Sequence, residues 1–290
     1  MTGERMLTVV ELLRLAAGHL ERVGVETPRL DAELLLAEVL GCSRIELYLD
    51  HDKPVVARER DRYRELIRQR ASRRVPVAQL LGRREFWSLP LRVGPEVLTP
   101  RPETEVLVEA ALDRVPDREA ELTVLDLGTG SGAIALALAR ELPKARITAT
   151  DVCEAALAVA RANAADLGLE GRIRWRAGSW FEPVAGERHH LVVCNPPYLR
   201  RDDPDLAPEL AHEPEEALFG GADGLDAYRA ILAGAPEHLE PGGWLLLELA
   251  PERAAAVAGM ATRAGLRSVE VLPDLAGRPR VLAAIGPESA

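Results

Sequence analysis

The 290 residues include only three cysteines, Cys42, Cys153 and Cys194, and they share no paired spacing. That argues against a disulfide framework and a thiolate metal cluster. The six histidines show no ligand spacing either, so no metal site is expected. His189 and His190 fall where a loop enters a strand and are expected to be exposed, whereas Cys194 reads as a small buried residue at a strand end. No stretch approaches the roughly 20 apolar residues needed to span a bilayer. The N-terminus lacks the apolar core of a secretory signal, and a reducing cytoplasm is the expected setting. There is no internal repeat and no low-complexity tract. Basic charge is short as well: the formal net charge is −10. That disfavours general binding to duplex nucleic acid and favours a protein or small-molecule partner. The deficit is uneven. Residues 1–100 carry 17 basic and 15 acidic side chains, against 19 and 31 in the remainder.

What is present suits a packed core. Hydrophobic residues make up 47% of the chain, and its length suits two domains. Apolar residues recur at helical spacing over 7–23, 28–40 and 55–74. Thr27-Pro28 starts the second of these helices with a cap and a first-turn proline, Gly41 stops it, and Ser43 caps a short helix through Tyr48. Arg58, Arg60, Arg62, Arg64, Arg68, Arg70, Arg73 and Arg74 form a basic stretch. It reads first as a solvated helix face and second as a docking surface for an acidic partner or RNA. Alternation and turn prolines over Phe86–Leu98 predict a short hairpin. Pro100-Arg101-Pro102 is then a stiff connector into a helix beginning at 102–105. Beyond it, strands at 123–127, 146–150, 172–177, 191–194, 244–249, 268–272 and 280–285 alternate with helices. This predicts an α/β fold with a mainly parallel sheet covered on both faces and an antiparallel final hairpin. Residues 199–222 are long for a loop and are expected to cover the active site.

The most informative string is Asn195-Pro196-Pro197-Tyr198, directly after the apolar run Leu191–Cys194. Proline fixes φ near −65° and lacks an N–H. It also biases the preceding residue toward extended geometry. Two in succession hold the Asn195 side chain and the neighbouring carbonyls in one arrangement. The Asn195 side-chain carbonyl and a backbone carbonyl, that of Pro196, supply two acceptors for the two hydrogens of one NH₂ group. Tyr198 can cover the flat face of that group. Gripping both hydrogens of a delocalised nitrogen aims its lone pair at an electrophile, which is catalysis by orientation.

Upstream, the strand at 123–127 runs into Gly128-Thr129-Gly130-Ser131-Gly132 and then into the apolar helix opening at Ala133. Strand, glycine turn and helix together make a nucleotide-binding loop credible. Asp151, at the tip of the next strand, stands where an acid commonly binds ribose hydroxyls. Gly128, Gly130 and Ala133 also satisfy the dehydrogenase pattern, which by itself leaves a nicotinamide enzyme open. Asp126, two residues before the first glycine, is placed to accept from a cationic amino-acid group, with a turn-capping carboxylate as the alternative. Asp126 and the Asn-Pro-Pro-Tyr string together look like a class I S-adenosylmethionine methyltransferase.

The likeness extends along most of the chain: Glu26-Thr27-Pro28-Arg29-Leu30-Asp31, Arg74–Gly82, Glu85–Leu91, Val97–Glu105, Asn195–Tyr198, Glu213-Pro214 and Ala217–Gly221. In these stretches the chain resembles the HemK/PrmC family, the peptide chain release factor glutamine methyltransferases. The resemblance implies a Rossmann-like, mainly parallel seven-stranded sheet (101–290). It would follow a helical substrate-recognition domain (1–84) and a hairpin linker (85–100). It implies S-adenosyl-L-methionine as methyl donor, S-adenosyl-L-homocysteine as product, and the glutamine of the Gly-Gly-Gln loop of release factors as acceptor. Carried onto this chain, the glycine loop (Gly128, Thr129, Gly130, Ser131, Gly132), Asp126, Asp151, Trp180 and Asn195 would hold the cofactor. Asn195, Pro196, Pro197 and Tyr198 would hold the glutamine. Ser179 stands where many members carry an acid. A sister family acting on a ribosomal protein shares the catalytic string but differs around the linker, and Pro-Arg-Pro-Glu-Thr-Glu at 100–105 favours the release factor branch. Adenine-N6 methyltransferases face the same exocyclic NH₂ problem and use the same string. They would need a basic groove.

Overall fold

The computed structural model describes residues 6–288, which divide into two units. The first runs up to Gly82 and includes Ala207–His212. Its helices are α1 (Val9–Arg22), α2 (Pro28–Leu40), α3 (Arg44–Leu49), α4 (Ala57–Arg73) and α5 (Val77–Leu81). Thr8 and Ser43 cap α1 and α3 through reciprocal bonds with Glu11 and Glu46. Gly41 ends α2 in the left-handed conformation. Thr27 does not act as the expected cap: its hydroxyl donates to Asp31 at 2.8 Å, while Pro28 supplies the helix start. The core of the unit joins Leu12, Leu20, Leu35, Leu36, Leu47, Tyr63 and Ile67.

The basic stretch is not one solvated face. Arg64 and Arg68 make exposed pairs with Asp61 and Glu65, but Arg70 is buried and donates to Asp31 at 2.7 Å and to Glu209 at 2.8 Å. Arg74 shares Glu209, and Gln79 donates to the His212 carbonyl. The segment 207–212 is thereby fastened within the helical unit, so part of the expected active-site cover belongs there.

The second unit opens with a hairpin, β1 (Arg83–Phe86) and β2 (Leu89–Arg92), earlier in the chain than the pattern predicts. Trp87 and Ser88 form its turn, both at positive φ (52° and 56°), the twist that a two-residue hairpin turn demands. After a short 3₁₀ turn at Pro102–Thr104 come α6 (Glu105–Asp113), β3 (Thr123–Leu127), α7 (Ala133–Glu141), β4 (Arg146–Asp151), α8 (Glu154–Asp166), β5 (Ile173–Ala177) and β6 (His189–Cys194). Then follow α9 (Glu215–Leu218), α10 (Asp226–His238), β7 (Leu239–Glu248), α11 (Ala254–Arg263), β8 (Arg267–Pro273) and β9 (Pro279–Ile285). The seven-stranded sheet has the order β5-β4-β3-β6-β7-β9-β8, with β9 antiparallel to both of its neighbours.

Alternation along the strands separates two cores. Val124, Leu191, Val193, Leu246 and Ala283 face α6 and α7. Leu125, Leu127, Val192, Leu245, Leu247 and Leu282 face α10 and α11. From Ala133 to Ala139 the helix α7 is buried, which explains the all-apolar sequence of that stretch, and only its last residues, Arg140 and Glu141, reach solvent. His189 departs from expectation: β6 begins earlier than predicted and carries this ring into the interior, where burial pushes its pKa down to about 4. His190 is exposed. Among the described residues no helix is long and apolar enough to cross a membrane.

Candidate active site

The strand order reverses at β3. From β3 the chain steps outward to β4 and β5, then crosses to β6 on the other side. Open α/β sheets bind ligands outside the carboxyl ends of the strands at such a point. Here those ends are Leu127, which enters the glycine loop, and Cys194, which enters Asn195-Pro196-Pro197-Tyr198; the two residues are register partners.

Gly128, Gly130 and Gly132 all have positive φ (66°, 54° and 82°), a backbone that side-chain-bearing residues adopt at a cost. A Cβ on Gly132 would also approach Ala160, Leu136 and Trp175 within 3.1–3.3 Å, so the loop lies tightly on α8. Asp126 sits behind this turn with no solvent exposure. Its Oδ2 accepts from the Thr129 hydroxyl at 2.6 Å and from the Ala135 N–H at 3.2 Å, while Oδ1 has no partner. Burial pushes this carboxyl up to about 7 against the pull of those two donors. The geometry makes Asp126 the pin of the loop. Asp151 is held from both sides: its Oδ2 accepts from Gly130 N–H at 2.8 Å and its Oδ1 from Cys153 N–H at 2.9 Å. Burial raises its pKa too.

Gly128, Gly130, Asp151, Trp180, Asn195 and Pro197 line one cavity of about 470 Å³, within the usual size of small-molecule sites. Val97 and Leu98 add apolar wall from the linker. Asp126, Thr129, Ser131, Gly132, Pro196 and Tyr198 are not on that wall. The first four shape the loop, Pro196 is buried, and Tyr198 packs toward the core on the α10–α11 side. A larger cleft of about 800 Å³ opens at the amino ends of the strands, beside Arg146, Ile173 and His189, and contains no motif residue. The chemistry-bearing residues belong to the smaller cavity.

The backbone after Asn195 is clamped by neighbours that local sequence reading does not reveal. Gly220 and Gly224 press against it: a Cβ at either would lie 2.5 Å from the Pro197 oxygen or 2.4 Å from the Tyr198 oxygen. The Leu199 N–H donates to the Leu218 carbonyl, and the Gly220 N–H donates to the Leu199 carbonyl. Arg253 donates to the Tyr198 carbonyl at 3.3 Å. Buried Glu213 accepts from the Thr99 N–H and from Arg101, tying the connector to the segment before α9. Asn163 on α8 bonds both the Ser131 carbonyl and Arg92, linking the glycine loop to β2. Glu213 stood in a noted motif; Asn163 carried no local signal.

Residues 11–82 match the PrmC N-terminal domain family, and residues 103–255 match the methyltransferase small domain. A release factor glutamine methyltransferase of Xylella fastidiosa is 47% identical over 277 residues, 95% of this chain and 97% of that protein. The chain belongs to the release factor glutamine methyltransferase family. A member from Cereibacter sphaeroides is 46% identical over 96% of this chain and 98% of its own length. A methyltransferase crystal structure from Pyrococcus furiosus aligns with TM-score 0.53 at 19% identity, covering 78% of this chain and 98% of that one; it bears on the fold alone. This family membership accounts for a helical unit preceding a class I methyltransferase sheet.

Proposed function

We propose that this enzyme transfers a methyl group from S-adenosyl-L-methionine to the side-chain amide nitrogen of the glutamine in the Gly-Gly-Gln loop of peptide chain release factors. The observation that carries the reading is the shared cavity: Asn195 and Pro197 face the same space as Gly128, Gly130, Asp151 and Trp180. The residues fit the cofactor. Two glycines at positive φ leave open backbone at the cavity floor, the half-buried Asp151 carboxylate stands at the ribose position, and an indole forms a flat wall. Asp151, the glycine loop and Trp180 would hold the nucleoside, with Asp126, Thr129, Ser131 and Gly132 keeping the loop in shape.

When bound, S-adenosylmethionine supplies a methyl carbon activated by positively charged sulfur. The chain's own residues prepare the nitrogen. The carbonyls of Pro197 and Tyr198 are turned toward Gly220, Gly224 and Arg253. This supports the Pro196 carbonyl as the one that joins Asn195 Oδ1 in accepting the two amide hydrogens. Held this way, the nitrogen presents its lone pair to the cavity, and both acceptors face the positive charge that grows on it. The surplus proton leaves to water from an acidic N-methylated intermediate, so no base is required.

Mass spectrometry tests this directly. With donor and intact release factor, one added methyl is expected on the Gly-Gly-Gln glutamine. Asn195→Ala should cut turnover at least about a hundredfold, the scale of removing one preorganised polar contact, with cofactor affinity retained. Methylation elsewhere, or near-normal turnover in that variant, would refute the assignment.

A further inference from the structure

An asparagine carboxamide has two ends of nearly equal shape and opposite hydrogen-bond polarity. Only the oxygen can accept from a glutamine NH₂, so the site needs a device that keeps Nδ2 away from the substrate. Shape alone does not provide one. The Asn195 Nδ2 donates to the Thr104 hydroxyl oxygen at 3.2 Å. Of the groups beside the Glu248 carboxyl, at the end of β7, the Thr104 hydroxyl pulls its pKa down most strongly, as a donor would. Thr104 and Glu248 are both buried, at 4% and 1% exposure, and Glu248 Oε2 has no partner. A hydroxyl has a single hydrogen to give. We propose that Thr104 and Glu248 are positioning residues that fix the direction of the Asn195 carboxamide. An ionised Glu248 takes the hydroxyl hydrogen, so the Thr104 oxygen can only accept, and Nδ2 must turn to it. Oδ1 is then left for the substrate. This inference rests on the glutamine-gripping role of Asn195.

Reversing the polarity of the relay reverses its result. A neutral Glu248 can donate to Thr104, whose hydroxyl then donates to Asn195, and the carboxamide flips its NH₂ toward the substrate, where it repels the incoming hydrogens. Several charged or titratable groups surround Glu248: Arg280 on β9, Arg101 and Glu103 on the connector, Tyr198 after β6, Cys194 on β6 and Tyr228 on α10. Arg280 is itself committed to Asp274 and the Leu249 carbonyl, and the Tyr228 hydroxyl donates to the Glu248 backbone carbonyl at 2.9 Å. Burial, partly offset by Thr104 and Arg280, pushes the Glu248 carboxyl up to about 7. The relay therefore switches polarity near neutrality.

The test measures turnover on intact release factor across neutral pH, with cofactor affinity by calorimetry, for wild type, Thr104→Ser, Thr104→Val, Glu248→Gln and Asn195→Ala. Thr104→Val should lose about a hundredfold in kcat, the scale of misplacing a reacting group by about 1 Å, with unchanged cofactor affinity. Thr104→Ser should keep the wild-type rate because it keeps the hydroxyl. The wild-type rate should fall as pH drops through about 7, and Glu248→Gln, which cannot titrate, should remove that limb. A wild-type rate in folded Thr104→Val would overturn the relay, as would an unchanged acid limb in Glu248→Gln. Should Glu248→Gln not fold, Thr104→Val against Thr104→Ser decides. Loss in Asn195→Ala without loss in Thr104→Val rejects the relay alone. A full rate in Asn195→Ala rejects the underlying reading with it.

Discussion

Gly220→Ala isolates the loop that presses on the Asn195–Tyr198 string. Gly220 has no positive φ, so the substitution adds no backbone penalty and acts through one methyl group. That Cβ would lie 2.5 Å from the Pro197 carbonyl oxygen and 3.0 Å from the Gly224 oxygen, where ordinary contact begins at 3.4 Å. Both obstacles are backbone, so the chain must separate by roughly 1 Å, the displacement that costs about a hundredfold in rate when it falls on reacting groups. Overpacking of this kind also costs about 1–3 kcal/mol of stability. Release factor methylation should therefore drop by about two orders of magnitude in kcat, while cofactor affinity, which we propose rests on the glycine loop and Asp151, stays near wild type. Gly171→Ala is the matched control: its φ is not positive and its Cβ would meet nothing within 4 Å. Wild-type kcat in a Gly220→Ala protein that melts like the control would refute the claim that this loop sets the position of residues 195–198.

Asp151→Ala should weaken cofactor binding, read by calorimetry, because it removes the cavity carboxylate and frees the Gly130 and Cys153 N–H groups; unchanged affinity would reject Asp151 as a cofactor ligand. Arg70→Glu should cost about 3–5 kcal/mol in urea unfolding, since it takes away the cation paired with buried Asp31 and puts a like charge beside it, whereas exposed Arg68→Glu should stay within about 0.5 kcal/mol; equal effects would contradict the burial of Arg70. Asp126 tests pH linkage. Its folded-state pKa lies above its ordinary 3.8, at about 7, so the folded state binds the extra proton between those values and stability falls as pH rises through that window. Asp126→Asn should remove that slope, and unfolding free energies of variant and wild type should diverge in the variant's favour from pH 5 to pH 7; parallel curves would refute the shift.

Local signals in the sequence carried far. The strand–glycine–helix segment 123–141, the helix starts at Pro28 and Ser43, and the alternation of strands and helices depend on propensity, capping and periodicity, which neighbouring residues set. Misplaced features share one cause. The hairpin sits at 83–92 because its turn uses Trp87-Ser88 at positive φ, a pair with none of the usual glycine or asparagine signal. His189 was expected outside because it falls where a loop enters a strand, but the strand begins two residues earlier and pairing with Leu239 carries it inward. Arg70 resembles its exposed neighbours in composition and differs only in meeting Asp31 and Glu209, 39 and 139 residues away.

Local sequence alone pointed to the proposed reagents: a glycine turn after a strand, an acid at the next strand tip, and an asparagine stiffened by two prolines. Those follow from backbone restrictions and side-chain chemistry within a few residues. Only the tertiary structure decided that Asn195 meets Thr104 across 91 positions and that Thr104 meets Glu248. It also decided that Gly220 and Gly224 press on the same turn. Such meetings depend on strand order and close packing, which bring distant segments to one point and leave each buried polar group a short choice of partners.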